Sequence, residues 1–311
     1  MGLFQRHAAP DAYDLVYGGR RPHHEITHEL LAAAVGFEVM RMYARRDAMS
    51  SRPTAIEALA AEPARSGLVL DFDGVLSPII DDPEASSMPD HVGAALRRLS
   101  GRLGLLAVIS GRPVAFLEDR VRIPGLPLLG SYGIERSVDG VRRLDSDAAQ
   151  WTAQVGEASR ALRELLKGSP GLRVEEKSVS VAVHWRQAQD HAAAAQQVRR
   201  VTARLAAETG LRLEPGKLVE ELRPPVDVDK GTALTALLNA NGHLKVLAYA
   251  GDDLGDTPAL RKARDTGGYA LVVDHGTETD PRLRALADET FAGTTAFADW
   301  LGRLADAISA P

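Results

Sequence analysis

The stretch "GLVLDFDGVLSPII", residues 67–80, sets Asp71 and Asp73 one residue apart at the end of a short apolar run. Leu68-Val69-Leu70 reads as the end of a buried strand, and Gly74 as the point where the backbone leaves it. Side chains at i and i+2 of a strand point the same way, so both carboxylates are expected to face one spot. Two like charges so placed repel, and the fold bears this only if a cation lies between them or one carboxyl is protonated. A strand-end turn with two solvated aspartates would look the same in these residues alone. The rest of the chain has to decide.

From Gly67 onward strands and helices alternate. "LVLDFD", "LGLLAVISGR" and "LPLLGSYGIE" read as strands, separated by the helices "MPDHVGAALRRLSGR" and "PVAFLEDRV". Later "LKVLAYAGDD" and "YALVVDHG" read as strands, with the helices "KGTALTALLNANG" and "TPALRKARDTGG". Short apolar strands separated by helices imply an α/β fold with a parallel, Rossmann-like sheet and helices on both faces. Residues 139–222 break this rhythm. A helix over roughly 146–167 precedes the strands "GLRVEE" and "SVSVAVHW", and a helix over roughly 190–208 precedes "LRLEP" and "KLVEELR". This helix–strand–strand layout, used twice, reads as an α+β cap (139–222) inserted into a core made of 66–138 and 223–311. Insertions at the carboxyl ends of strands usually cover an active site.

Residues 1–65 read as an N-terminal helical extension, with Ile26, Leu30, Ala33, Ala34, Phe37 and Met40 near helical spacing. His24 and His28 stand four apart on that helix with His23 beside them, but no acidic partner of the HExxH kind accompanies them, which argues against a metal site.

The 311 residues suffice for about two domains. Net charge is −5 and no basic stripe stands out, so nucleic acid is not expected as a partner. The absence of cysteine excludes disulfides, thiolate catalysis and Cys-ligated zinc, and fits a reducing compartment. The apolar stretch Leu30 to Phe37 is too short to span a bilayer, and residues 1–20 lack a signal-peptide pattern. A cytoplasmic protein without a membrane partner is expected, of undetermined oligomeric state.

Three further polar clusters fall at strand ends: Ser110 after "LLAVI", Lys230 at the start of a helix, and Asp252, Asp253 and Asp256 after "VLAYAG". Ligands of open parallel sheets bind outside the carboxyl ends of the strands, so these clusters can converge on Asp71 and Asp73. Each alone could be a turn, a solvated lysine or an acidic cap. Together, the series "DFDGVLSP", "ISGR", "VDKG" and "GDDLGD" resembles the four motifs of the haloacid-dehalogenase-like phosphatases. "GSYGIE", "EEKSVSVAVHWR" and "GKLVEELRPPVDVDKG" narrow the resemblance to the trehalose-6-phosphate phosphatases, over roughly residues 67–300. Tyr132 stands where that family usually has His, Trp185 where it has Tyr, and "GDDLGDTPAL" departs from its usual fourth motif.

The resemblance implies hydrolysis of a sugar phosphate, trehalose 6-phosphate, with Asp71 as nucleophile forming an aspartyl-phosphate and Asp73 as general acid and base. Ser110 and Lys230 would hold the phosphoryl oxygens. Mg²⁺ would be held by Asp71, the Asp73 main-chain carbonyl and Asp252. Asp253 or Asp256 would orient a metal-bound water or Lys230. Glu135, Glu176, Lys177, His184, Arg186 and Glu221 match family positions for sugar recognition. Read as one strand, 177–186 sets Val179, Val181 and Val183 on one face and Ser178, Ser180, Ala182, His184 and Arg186 on the other, so Lys177 reaches the polar side only through a bulge. Two other functions stay open at this point. One is a related phosphatase for another glycosyl or pseudo-disaccharide phosphate, and the other a non-catalytic partner of a trehalose-phosphate synthase.

Overall fold

The computed structural model describes residues 52–309, apart from 81 and 217. The chain begins with α1 (Ala55–Ala61), β1 (Ser66–Leu70), α2 (Asp90–Leu99), β2 (Leu105–Ile109), α3 (Val114–Val121) and β3 (Leu128–Gly130). The hairpin β4 (Glu135–Val138) and β5 (Val141–Leu144) follows, then α4 (Ser146–Ala149), α5 (Thr152–Leu165), β6 (Arg173–Glu176) and β7 (Val181–His184). Next come α6 (His191–Thr209), β8 (Arg212–Gly216) and β9 (Val219–Arg223). The chain closes with α7 (Lys230–Ala240), β10 (Val246–Gly251), α8 (Thr257–Asp265), β11 (Tyr269–Asp274), α9 (Pro281–Arg284), β12 (Glu289–Ala292) and α10 (Gly293–Ser309).

Eight strands form the main sheet in the order β12-β11-β10-β1-β2-β3-β4-β5. The six from β12 to β3 are parallel, and the β4–β5 hairpin adds to β3 antiparallel. From β1 the chain winds outward through β2 and β3, then returns to the other side at β10. A crevice therefore opens between the carboxyl ends of β1 and β10, the switch point where such sheets bind ligands. β1 and β2 are buried on both faces, which is why their sequences are continuously apolar rather than alternating. Leu68 and Leu70 pack with Leu59 of α1, Leu96 of α2 and Trp300 of α10. Val69 points the other way, with Leu234 of α7 and Leu260 of α8.

The inserted unit is a four-stranded antiparallel sheet, order β6-β7-β9-β8, with α5 and α6 on one face. The layout helix–strand–strand recurs as expected, and its second sheet face turns to the crevice. The boundaries differ from the expected ones. β5 lies in the main sheet, so residues 141–144 belong to the core rather than to a cap starting at 139. All four are exposed, and an exposed edge strand carries no burial pattern to read. The helix expected over 146–167 breaks at Gln150-Trp151 into α4 and α5, and β12 with α10 lies beyond the last strand expected.

Of the extension expected over 1–65, residues 1–51, with the His23, His24 and His28 group, lie outside the described residues. α1 is core rather than extension. Ala55 and Leu59 are fully buried against the main body, the Gly104 N–H donates to the Pro63 carbonyl at 2.9 Å, and the Lys245 N–H to the Arg65 carbonyl at 2.7 Å. A seven-residue helix, "AIEALAA", is too short to announce itself by periodicity. Among the described residues no helix is long and apolar enough to cross a membrane.

Because α1 fills the core, a chain starting at Ala64 is expected to melt well below one starting at residue 52. Leu59→Ala alone should cost about 2–5 kcal/mol by urea unfolding. An unchanged midpoint would show that α1 only decorates the surface.

Candidate active site

The Asp71 N–H donates to the Ala250 carbonyl of β10 at 2.9 Å, which carries the β1 ladder one residue further and pins the side chain in the crevice. Its Oδ1 accepts the Phe72 N–H at 2.7 Å, and its Oδ2 lies 2.8 Å from Lys230 Nζ. Lys230 is the first residue of α7, fixed there by an Asp229–Thr232 capping box. Its ammonium, fully buried, also donates to Asp256 Oδ1 at 2.7 Å.

Asp256 is saturated. Oδ1 accepts the Tyr249 hydroxyl at 2.6 Å besides Lys230, and Oδ2 accepts the N–H groups of Asp252 and Asp253 at 3.0 and 3.2 Å. Asp253 braces it in a reciprocal capping box. Of the two residues left open by the sequence, Asp256 is thus the one that holds Lys230, and Asp253 caps the turn. Asp252 presses against the loop after β1. A Cβ on Gly74, which has φ +73°, would sit 2.0 Å from Asp252 Oδ2, so only glycine fits. His275, at the end of β11, is within hydrogen-bond distance of the Gly74 carbonyl through Nε2 (2.9 Å) and lies 3.6 Å from Asp252 Oδ2.

One ammonium thus serves a group of three buried carboxylates, Asp71, Asp252 and Asp256, which can bring oxygens within 4.8 Å of one another. Burial would raise Asp256, but the Lys230 charge and the hydrogen bonds of Lys230 and Tyr249 hold it below the usual range. Burial raises Asp71 well above that range despite Lys230, with Asp256 and Asp253 adding to the rise. Burial and the neighbouring Asp71, Asp256 and Asp253 push Asp252 to about 9. Such a group lacks positive charge. Its hard oxygen donors suit a small divalent cation that keeps several waters, so these residues fit Mg²⁺.

Asp73 turns out of this cluster. Its carboxylate takes Arg112 Nε on Oδ2 at 2.6 Å, and Arg112 Nη2 and the Ser86 hydroxyl on Oδ1 at 3.1 and 2.8 Å. Ser110, buried, borders the same cavity. This cavity, about 1350 Å³, has Asp71, Lys230 and Asp252 on its core side and Arg173, Glu175, Lys177, His184 and Arg186 on its cap side.

Of the six residues expected to read the sugar, Lys177, His184 and Arg186 line this cavity. The other three do not line the cavity. Glu221 stands behind Lys177, accepting its Nζ at 3.1 Å together with the Ser180 hydroxyl. Glu135 is buried as a clamp. It accepts the Ser131 hydroxyl, the Val114 N–H at the start of α3, and Ser178 of the cap at 3.1 Å. Glu176 points to the cap helices, accepting the Ser159 hydroxyl and standing 3.5 Å from Arg163.

The cause is a turn inside the strand expected over 177–186. The Lys177 N–H donates to the Ser180 carbonyl at 2.8 Å, and β7 begins only at Val181. The parity of Lys177 therefore follows β6, with Arg173 and Glu175, and no bulge is needed. Across the ladder Glu175 faces Ala182 and Arg173 faces His184. Glu175 accepts from His184 at 2.6 Å if Nε2 carries the proton, and this contact leads in holding its carboxyl below the usual range. Val179, in the turn, packs with Ile134, Ala148 and Val226 rather than with Val181 and Val183. Trp185 is buried among the cap helices and is not part of the cavity wall.

Tyr132 does line the cavity, from a strained turn. Ser131 and Tyr132 have φ of +49° and +63°, and Gly133 has +107°. Hydrogen bonds from Ser131 and Tyr132 N–H to the Arg112 and Ser110 carbonyls, at 2.8 and 2.9 Å, hold that turn. The Arg223 guanidinium of β9 lies over the Tyr132 ring, 4.9 Å from its centre. Arg112, Glu175 and His275 were missed as site residues. For Glu175 the signal was parity with Lys177, and for Arg112 its place two residues after Ser110.

The fold and the crevice are those of the haloacid-dehalogenase-like proteins. A solved haloacid dehalogenase-like hydrolase from Bacteroides thetaiotaomicron superposes with a TM-score of 0.56 at 14% identity, covering 77% of this chain and 99% of that one. The C-terminal domain of the Candida albicans trehalose-6-phosphate phosphatase superposes with a TM-score of 0.64 at 21% identity, covering 81% of this chain and 95% of that one. In sequence, the trehalose-phosphate phosphatase of Mycobacterium marinum is 34% identical over 276 residues, 84% of this chain and 68% of that protein. The trehalose-phosphatase family model matches residues 69–287, and the chain belongs to that family.

The folded-state value near 9 for Asp252 lies above its ordinary 3.8, so between these values the folded chain binds more protons than the unfolded one. This contribution is complete below about pH 4 and is lost as pH rises toward 9. Metal-stripped protein is therefore expected to lose melting temperature from pH 5 to pH 9, and Mg²⁺ to raise it more at pH 9. A flat profile, with no effect of Mg²⁺, would contradict the charge imbalance.

Proposed function

We propose that the protein hydrolyses trehalose 6-phosphate to trehalose and phosphate through an aspartyl-phosphate on Asp71. The observation that carries this is Asp71 itself, a carboxylate held by Lys230 at the base of a cavity whose opposite wall is the polar face of the cap. Asp71 attacks phosphorus in line, and Asp73 gives a proton to the departing sugar oxygen, then takes one from the water that hydrolyses the intermediate. Ser110 and Lys230 hold the phosphoryl oxygens, and Lys230 also offsets charge on the nucleophile. Mg²⁺ would be held by Asp71, Asp252 and the main-chain carbonyl of Asp73, where it offsets negative charge on nucleophile and phosphoryl group. Asp256 serves by fixing Lys230.

The cap reads the sugar. A neutral disaccharide offers only hydroxyls, and selectivity comes from polar groups that lose their partners with the wrong sugar. Arg173, Glu175, Lys177, His184 and Arg186 present such groups to the cavity, with Glu221 orienting Lys177. Nothing in the arrangement of Asp71, Asp73, Ser110, Lys230 and Asp252 favours a non-catalytic partner.

Phosphate release from trehalose 6-phosphate, with and without Mg²⁺, is the direct test. Asp71→Asn is expected to abolish it, together with hydrolysis of a small aryl phosphate, while leaving the melting curve near that of the parent. Activity of Asp71→Asn near that of the parent would rule out Asp71 as nucleophile. Glu175→Gln should instead lower kcat/KM for trehalose 6-phosphate roughly 10- to 150-fold, the loss of one charged contact, and affect the aryl phosphate less. Glu176→Gln should change stability and treat both substrates alike. Equal losses on both substrates for Glu175→Gln would remove it from sugar recognition.

A further inference from the structure

Tyr132 stands in the wall of the cavity between core and cap. Its N–H donates to the Ser110 carbonyl at 2.9 Å, and a Cβ on Gly111 would lie 3.1 Å from both its Cζ and its hydroxyl oxygen. The phenol end therefore rests on the main chain of Gly111, in the loop that carries Ser110. From the cap, the Arg223 guanidinium lies 4.9 Å from the ring centre, and Arg223 is itself buried and donates to the Val228 carbonyl at 3.2 Å. A ring held in this way is fixed before any ligand arrives, so a contact with it costs little further ordering.

Its hydroxyl has no such engagement. Among the described residues none forms a hydrogen bond with the Tyr132 hydroxyl, whereas the Tyr249 hydroxyl donates to Asp256 at 2.6 Å. A phenol keeps its proton at neutral pH and offers a donor and an acceptor. The residue that presents it has φ +63°, a conformation a bulky side chain holds only under constraint. Beside it lies Ser110, at the phosphoryl end of the cavity, and across from it Lys177 and Glu175 on the cap wall. A sugar phosphate with its phosphorus near Asp71 brings the ring that carries the phosphate into this interval. We propose that the Tyr132 hydroxyl hydrogen-bonds a hydroxyl of that phosphorylated ring and helps to select the sugar. The proposal rests on the reading of the protein as a sugar phosphatase. An aryl phosphate offers no such partner.

Tyr132→Phe removes one oxygen and keeps the ring beneath Arg223. The full chain with Mg²⁺ is assayed on trehalose 6-phosphate, glucose 6-phosphate and 4-nitrophenyl phosphate, with a melting curve for parent and variant. The ratio of kcat/KM for trehalose 6-phosphate to that for 4-nitrophenyl phosphate is expected to fall roughly 3- to 10-fold in the variant, the loss of one neutral hydrogen bond, with the melting curve unchanged. Analogues of trehalose 6-phosphate, each lacking one hydroxyl of the phosphorylated ring, identify the partner. With one of them parent and variant should turn over alike, because the contact is already gone. An unchanged ratio would overturn the proposal. So would equal losses on both substrates, which would give Tyr132 a phosphoryl contact or a structural role, or a loss that persists with every analogue. If the parent prefers glucose 6-phosphate to trehalose 6-phosphate, the disaccharide reading fails. The ratio for glucose 6-phosphate then decides on Tyr132 in the same way.

Discussion

The site depends on one buried ammonium. Lys230 lies 2.8 Å from Asp71 and 2.7 Å from Asp256, and burial makes the ammonium costly unless a carboxylate lies beside it. The pairs are unequal. Asp256 also receives the Tyr249 hydroxyl and two main-chain N–H groups, so it is fully satisfied and fixes Lys230 from behind. Asp71 has Lys230 and one N–H on its side-chain oxygens, and it keeps a face toward the cavity. A carboxylate positioned firmly yet incompletely neutralised suits a nucleophile. The remaining negative charge is what makes the site fit a cation.

The same constraint separates the two aspartates of "DFD". Asp71 follows the parity of Val69, whose layer holds α7 and α8, and so meets Lys230 at the start of α7. Asp73 lies past the end of β1, just before the turn at Gly74, and its carboxylate is held by Arg112 and Ser86. The expectation that both carboxylates face one spot holds at the level of the cavity, which both line. It does not hold at the level of charge. The repulsion is relieved by distributing the two among different cations rather than by one ion between them. The two carboxylates of one tripeptide thus stand in separate environments, Asp71 beside a buried lysine and Asp73 beside an arginine.

The parallel core was legible in the sequence because strands buried on both faces are unbroken apolar runs, and because Asp71, Asp73, Ser110 and Asp252 sit one to three residues beyond their ends. What escaped had no such signal. β5 is exposed throughout, α1 is a seven-residue helix, and Arg112 looked like part of a turn. The cap strand was misread for a different reason. Alternation tells which residues share a face only while the backbone stays extended, and "EEKSVSVAVHW" turns at 177–180 without a glycine or proline to mark it. One hidden turn moved Glu176 to the helix side, brought Glu175 to the cavity and removed the need for a bulge at Lys177.

The turn at Ser131 and Tyr132 shows how the two units are brought into register. Two successive non-glycine residues with positive φ cost free energy, on the order of 1–3 kcal/mol each, and persist only where surroundings over-determine them. Here the surroundings are the Ser110–Arg112 loop, which accepts both N–H groups, and Glu135, which accepts the Ser131 hydroxyl. Glu135 also accepts from Ser178 in the cap hairpin, and Tyr132 lies beneath Arg223 at the end of β9. The strained turn therefore joins the loop carrying Ser110 and Arg112 to both β6–β7 and β9. Glu135 thus bears on where the hairpin with Glu175 and Lys177 stands relative to Asp71, by holding Ser178 rather than by lining the cavity.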